Sequence, residues 1–106
     1  MPKPILKLDF QGHRLGPGKI ALLEAIVETG SISAAAKTMN MSYRRAWMLI
    51  DELNKMLVKP CVESTTGGVG GGGAQVTVFG KKIVKAFRKL EKQFAKSAAA
   101  EFKSLS

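Results

Sequence analysis

The chain has one cysteine, Cys61, and one histidine, His13, in 106 residues. A disulfide framework needs paired cysteines and a zinc site needs several clustered ligands, so neither is built here. Cys61 reads as a small buried residue at a strand start. No apolar run approaches the roughly 20 residues that span a bilayer. Met1-Pro2-Lys3-Pro4 opens the chain without the apolar segment of a secretion signal, so a cytoplasmic protein without a membrane partner is expected. Acid is scarce too: 8 Asp and Glu against 17 Lys and Arg leave a net charge of +9. No paired carboxylates for acid–base work, no nucleophile–base set and no ligand cluster stand out, so an enzyme is not expected, nor a metal or cofactor. The excess of cations suits a polyanion, or it is the solvated surface of a basic protein.

The informative stretch runs from Gly30 to Trp47, Gly-Ser-Ile-Ser-Ala-Ala-Ala-Lys-Thr-Met-Asn-Met-Ser-Tyr-Arg-Arg-Ala-Trp. It reads as two short helices joined by a tight turn, the pattern of a helix-turn-helix. Gly30 fits the left-handed position that ends a preceding helix, Lys19 to Thr29, whose Ile20, Leu23, Ile26 and Val27 form the expected buried stripe. Ser31 fits the N-cap of a helix running to about Met39. Asn40 tolerates the left-handed backbone the turn needs. Ser42 caps a third helix to about Leu57, with Ala46, Ile50, Leu53 and Leu57 on its inner face. Ala35, Ala36 and Ala46 are small where the helices cross.

Around this core, residues 5–10 and 11–15 read as a hairpin turning at Gly12. After Pro60, residues 61–65 and 74–78 read as two strands, joined by Thr66-Gly67-Gly68-Val69-Gly70-Gly71-Gly72-Gly73. A hairpin after a helix-turn-helix is a wing. The final helix is expected from about Lys81 to Phe102. Its Ile83, Phe87, Leu90, Phe94, Ala98, Phe102 and Leu105 recur at steps of three and four, a stripe longer than one small core needs. It either crosses the core or pairs with a second copy. The expected architecture is mostly α with a small β component: one winged helix-turn-helix domain over residues 1–106, in which 1–79 hold the hairpin, helix-turn-helix and wing and 80–106 the dimerisation helix.

Tyr43, Arg44 and Arg45 occupy the first turn of the third helix, where side chains meet base edges if the helix enters a groove end-on. Arg44 suits guanine and Arg45 phosphate; the bland alternative is a solvated pair of arginines. Trp47 either touches DNA or packs under the wing. Ser31, Ser33 and Lys37, at or near the start of the second helix, suit phosphate, although capping alone explains Ser31. Asp51 would lift the far end of the third helix from DNA. The glycine block is no P-loop, since no lysine and hydroxyl follow in register, and no dinucleotide loop, since it joins two strands. Ordering so many glycines is entropically costly. Gly68, Gly70 and Gly71 therefore become DNA contacts if a duplex orders them, or a tip that touches nothing. Lys81, Lys82, Lys85, Arg88, Lys89, Lys92 and Lys96 make the last helix basic, adding diffuse attraction to DNA or a solvated face.

From Gly18 to Leu90 the chain resembles the N-terminal DNA-binding domain of ModE-type regulators, molybdate-responsive relatives of LysR-type winged-helix repressors. The residues that carry this are Gly30-Ser31-Ile32-Ser33, Ala35-Ala36-Lys37, Ser42-Tyr43, Ala46-Trp47, the block Thr66 to Ala74, Thr77 and Gly80. The glycine block is the specific part. The resemblance implies a winged helix, a homodimer and palindromic double-stranded DNA. Full-length members sense molybdate through C-terminal β-barrel domains, which this sequence does not contain, so molybdate sensing is not carried over and no small-molecule effector is expected. Ser64 stands where the family commonly has arginine and Val69 where a lysine occurs, which leaves the wing less charge to offer phosphate.

The reading that emerges is a homodimeric DNA-binding transcription regulator with recognition helix 42–57 in the major groove. Ile83, Phe87, Leu90, Phe94 and Phe102 are its expected dimer seam. Two other classes compete: a weakly specific DNA-binding or interaction module whose effector domain is a separate chain, and a small oxyanion-binding protein using the glycine loop.

Overall fold

A computed structural model describes residues 3–65 and 73–105. Strands β1 (Leu8–Phe10) and β2 (His13–Leu15) form an antiparallel hairpin. Its two turn residues, Gln11 and Gly12, both have positive φ, 55° and 92°. That combination matches the right-handed strand twist in a two-residue turn, and the Asp9 carboxylate accepts from the Gly12 N–H at 2.7 Å.

Helices α1 (Pro17–Thr29), α2 (Ile32–Thr38) and α3 (Tyr43–Met56) follow. Pro17 opens α1, where its missing N–H is no loss. Gly30 ends α1 at φ 72°, its N–H on the Ile26 carbonyl at 2.8 Å. Ser31 Oγ accepts from Ala34 N at 3.1 Å and Ser42 Oγ from Arg45 N at 3.1 Å, so each serine caps its helix. Between them Asn40 takes φ 55°. Ala35, Ala36 and Ala46 are buried where α2 and α3 meet.

Strands β3 (Val62–Thr65) and β4 (Gly73–Val76) pair antiparallel, with Val62 opposite Val76 and Thr65 opposite Gly73. They form the wing base. The Ala74 N–H also donates to the Gly30 carbonyl at 3.1 Å, tying β4 to the α1–α2 corner. Helix α4 spans Val78–Phe102. Thr77 starts it three residues earlier than the sequence suggests: its hydroxyl accepts from Gly80 N at 2.9 Å and donates to the Pro60 carbonyl at 2.8 Å. Val78 is thereby helical and not part of the strand.

One core joins these elements, centred on Ile20, Leu22, Leu23, Ile26, Ile50, Leu53 and Phe87. Three expectations are corrected here. Val27 is 51% exposed, while Leu22 and Ala25 are buried. Helix α1 is central, packed by α2, α3, α4 and β4, so its buried face is wide and shifted from the anticipated stripe. Phe87 is 1% exposed within this chain, which removes it from any face offered to a second copy. Leu57, expected on the inner face of α3, is only partly buried and follows the helix end.

Helix α4 projects. Its 25 residues measure about 37 Å at 1.5 Å each, and the chain extends 58 × 27 × 22 Å. Only Gly80 and Phe87 of α4 are buried. Arg88 fixes its angle over α1, with Nη2 2.6 Å from Glu24 Oε1, Nε 3.2 Å from Glu24 Oε2 and Nη1 2.7 Å from Glu91 Oε1. The bonds it donates to Glu24, then the one to Glu91, raise the guanidinium pKa further and keep it charged.

Candidate nucleic-acid interface

The first turn of α3 is built outward from its inner row. Ala46, Ile50 and Leu53 are buried, so Tyr43, Arg44 and Arg45 are turned to solvent, Tyr43 at 53% exposure. Trp47 is 40% exposed, and its indole N–H donates to the Tyr43 hydroxyl oxygen at 2.6 Å. An indole can only donate. The Tyr43 oxygen is therefore the acceptor, and the phenolic proton is left for an acceptor outside the pair.

Tyr43 and Trp47 form one wall of an open cleft of about 430 Å³, with Ser31 and Ser33 of the α2 start and Ser64 and Thr65 of the wing base. Trp47 faces the wing base across this cleft and stays accessible. The hydroxyl of Ser31 is engaged by its cap; Ser33 and Lys37 are exposed. Gly68, Gly70 and Gly71 lie outside the described residues, as does Val69.

Asn54 is a structural support that sequence reasoning missed. Its Oδ1 accepts from Cys61 N at 2.8 Å and Val62 N at 3.2 Å, and its Nδ2 donates to the Val62 carbonyl at 3.1 Å. One side chain thus holds the start of the wing to α3. The only signal was a poor helix former near the end of a helix. Gly80 supports the same junction: a Cβ there would sit 2.5 Å from the Cys61 carbonyl oxygen. Cys61 itself is fully buried, and burial pushes its thiol pKa up.

At the far side of α3, Lys19 bonds Glu52, and His13 Nδ1 lies 3.8 Å from the same carboxylate. The hydrogen bond from Lys19 lowers the Glu52 pKa, partly opposed by burial. Farther along, Asp51 pairs with Lys55 at 2.9 Å. Of the expected seam, Ile83 is half-buried, and Leu90, Phe94 and Phe102 are 43%, 45% and 52% exposed. Among the described residues no group of three His, Cys, Asp or Glu is placed to hold a metal, and no helix is long and apolar enough to cross a membrane.

Residues 18–81 match the family described as bacterial regulatory helix-turn-helix protein, lysR family. The chain is 42% identical over 98 residues to the molybdenum-pterin-binding protein MopB of Rhodobacter capsulatus, covering 92% of this chain and 36% of that protein. It is 43% identical over 83 residues to the molybdenum transport protein ModE of Azotobacter vinelandii, covering 78% and 31%. It is 42% identical over 71 residues to the DNA-binding transcriptional dual regulator ModE of Escherichia coli K12, covering 67% and 27%. The chain thus spans about a third of the length of these relatives. Among solved structures, ArgP from Mycobacterium tuberculosis superposes with a TM-score of 0.54 over 81% of this chain and 30% of that one, at 23% identity, a likeness of fold.

Proposed function

The chain belongs to the lysR family of bacterial regulatory helix-turn-helix proteins, and from that premise we propose that it is a homodimeric DNA-binding transcription regulator. The observation that carries this reading is the presentation of Tyr43, Arg44 and Arg45. All three are exposed on the amino end of a helix whose opposite face is locked into the core. Arg44 donates two bonds to a guanine edge, and Tyr43, its oxygen already occupied by Trp47, donates to a base or phosphate acceptor. Arg45, Ser33 and Lys37 neutralise or bond phosphates, and Ser31 and Ser42 hold the helix ends that aim them.

The second copy pairs along α4. Leu90 and Phe94 lie on its exposed side beyond the crossing at Phe87, and joining them buries apolar surface that one chain leaves in water. Two recognition helices then face half-sites one turn, or a multiple of it, apart. The relatives named for molybdenum suit a role in molybdenum-linked gene control. The test is a titration of the protein against a palindromic duplex recovered from a random pool and against its scrambled version. At least a hundredfold preference for the palindrome is expected. Equal affinities would favour the weakly specific module, to which the lysine-rich face of α4 lends itself.

A further inference from the structure

The first turn of α3 has a second flank. Residues 43 and 47 point to the wing; residues 45 and 49 lie about 200° and 240° away from 43 around the helix axis, and with residue 41, just before the helix, they line a separate cleft of about 250 Å³. Its other walls are Lys7 and Arg14 of the N-terminal segment and hairpin, and residues 16–19 at the start of α1. Four cations, Lys7, Arg14, Lys19 and Arg45, converge there, and no acidic side chain lines it. Lys19 is neutralised by Glu52 and also bonds the Arg14 carbonyl, which holds the hairpin against α1. Lys7, Arg14 and Arg45 have no ion pair among the described residues. Asp9 stands opposite Arg14 in the strand register, but its carboxylate accepts from Gly12 N. The absence of a side chain at Gly16 makes room for the stem of Lys7, whose Cγ would lie 3.3 Å from a Cβ there.

We propose that this cleft is a phosphate seat: Lys7 and Arg14 join Arg45 in holding a DNA backbone phosphate on the flank of the recognition helix opposite the wing. The proposal rests on the DNA-binding reading above. A helix end entering a major groove about 12 Å wide meets a phosphate backbone on each side. The hydroxyl-lined cleft at the wing base faces one strand and the cationic cleft faces the other. The N-terminal hairpin is thereby part of the DNA interface and sets how far the contact reaches along the flank. Guanidinium groups suit the paired oxygens of a phosphodiester, with the ammonium as a point charge.

The test is the double variant Lys7→Ala/Arg14→Ala. Both side chains are exposed, so its thermal melting should match the wild type. The slope of log affinity against log salt should fall, by at most about 0.9 for each bound chain because Arg45 stays at the phosphate. Affinity should drop by the same factor on the selected palindrome and on its scrambled version. A neutral methylphosphonate at one flanking phosphate of each half-site should weaken the wild type severalfold more than the double variant, which keeps only Arg45 at that phosphate. Lys7→Arg/Arg14→Lys, which keeps both charges, should retain the wild-type slope. An unchanged slope in the alanine variant, or a methylphosphonate scan that weakens both proteins alike at every position, overturns the proposal while the preference of the wild type for the palindrome still stands. Loss of that preference in the wild type itself is the separate failure of the DNA-binding reading.

Discussion

Replacing Asn54 by alanine removes the side chain that joins α3 to the wing. Its carboxamide makes three hydrogen bonds to the backbone of Cys61 and Val62, and both residues are buried. Each bond contributes roughly 1 kcal/mol, and buried amides left without partners keep the loss near the full sum, about 3 kcal/mol. For a chain of this length 1 kcal/mol moves Tm by about 4–5 °C. Asn54→Ala should therefore lower Tm by about 12–15 °C in calorimetry at neutral pH. Asn54→Asp keeps an acceptor for both amides but loses the donor to the Val62 carbonyl, so it should fall between alanine and wild type. At a temperature where both stay folded, the alanine variant should also bind DNA more weakly, because the wing base is no longer fixed beside Tyr43 and Trp47. A Tm change under about 3 °C would refute the reasoning, since the three bonds would then be matched by water.

Gly80→Ala should destabilise by about 1–2 kcal/mol: overpacking against the Cys61 backbone costs about 1–3 kcal/mol, and the better helix propensity of alanine returns less than 1 kcal/mol; a raised Tm would show that α4 shifts freely. Phe94→Asp should leave a folded monomer by light scattering and circular dichroism, whereas Phe87→Asp, in the core, should unfold the chain; a dimeric Phe94→Asp would remove α4 as the seam. Glu52 has a lowered folded pKa, so the unfolded state binds its proton more readily. Its contribution is present above the ordinary value of 4.5 and is lost as pH falls through the lower folded value. Glu52→Gln should accordingly be less stable than wild type at neutral pH, with the difference closing on acidification; a gap that persists at low pH would contradict this.

Backbone punctuation was the most legible part of the sequence. Gly30, Asn40 and the caps Ser31 and Ser42 announce local conformations that depend on residues close in sequence, and all four occupy the expected positions. What escaped depends on neighbours far along the chain. Val27 is exposed and Leu22 buried because several elements surround α1, and periodicity on one helix does not show which neighbours it meets. Phe87 belongs to the core because α4 crosses α1 there, fixed by Arg88 and Glu24, 64 residues apart. Thr77 gave a readable signal, a hydroxyl three residues before Gly80, but the β-favouring Val76-Thr77-Val78 masked it. The cationic cleft joins Lys7, Arg14 and Arg45 from three segments, a juxtaposition that no local pattern encodes. The exposed first turn of α3 was legible because its inner row, Ala46, Ile50 and Leu53, forces its neighbours outward.

The central claim is that this turn reads base edges, and the most direct measurement is a selection from random duplexes run in parallel with the wild type and Arg44→Ala. The wild type should recover a palindrome with a guanine at a fixed place in each half-site. The variant should recover the same spacing with the preference at that place gone, a loss of discrimination of about 1–3 kcal/mol. Recovery of an identical consensus by both proteins would contradict the account.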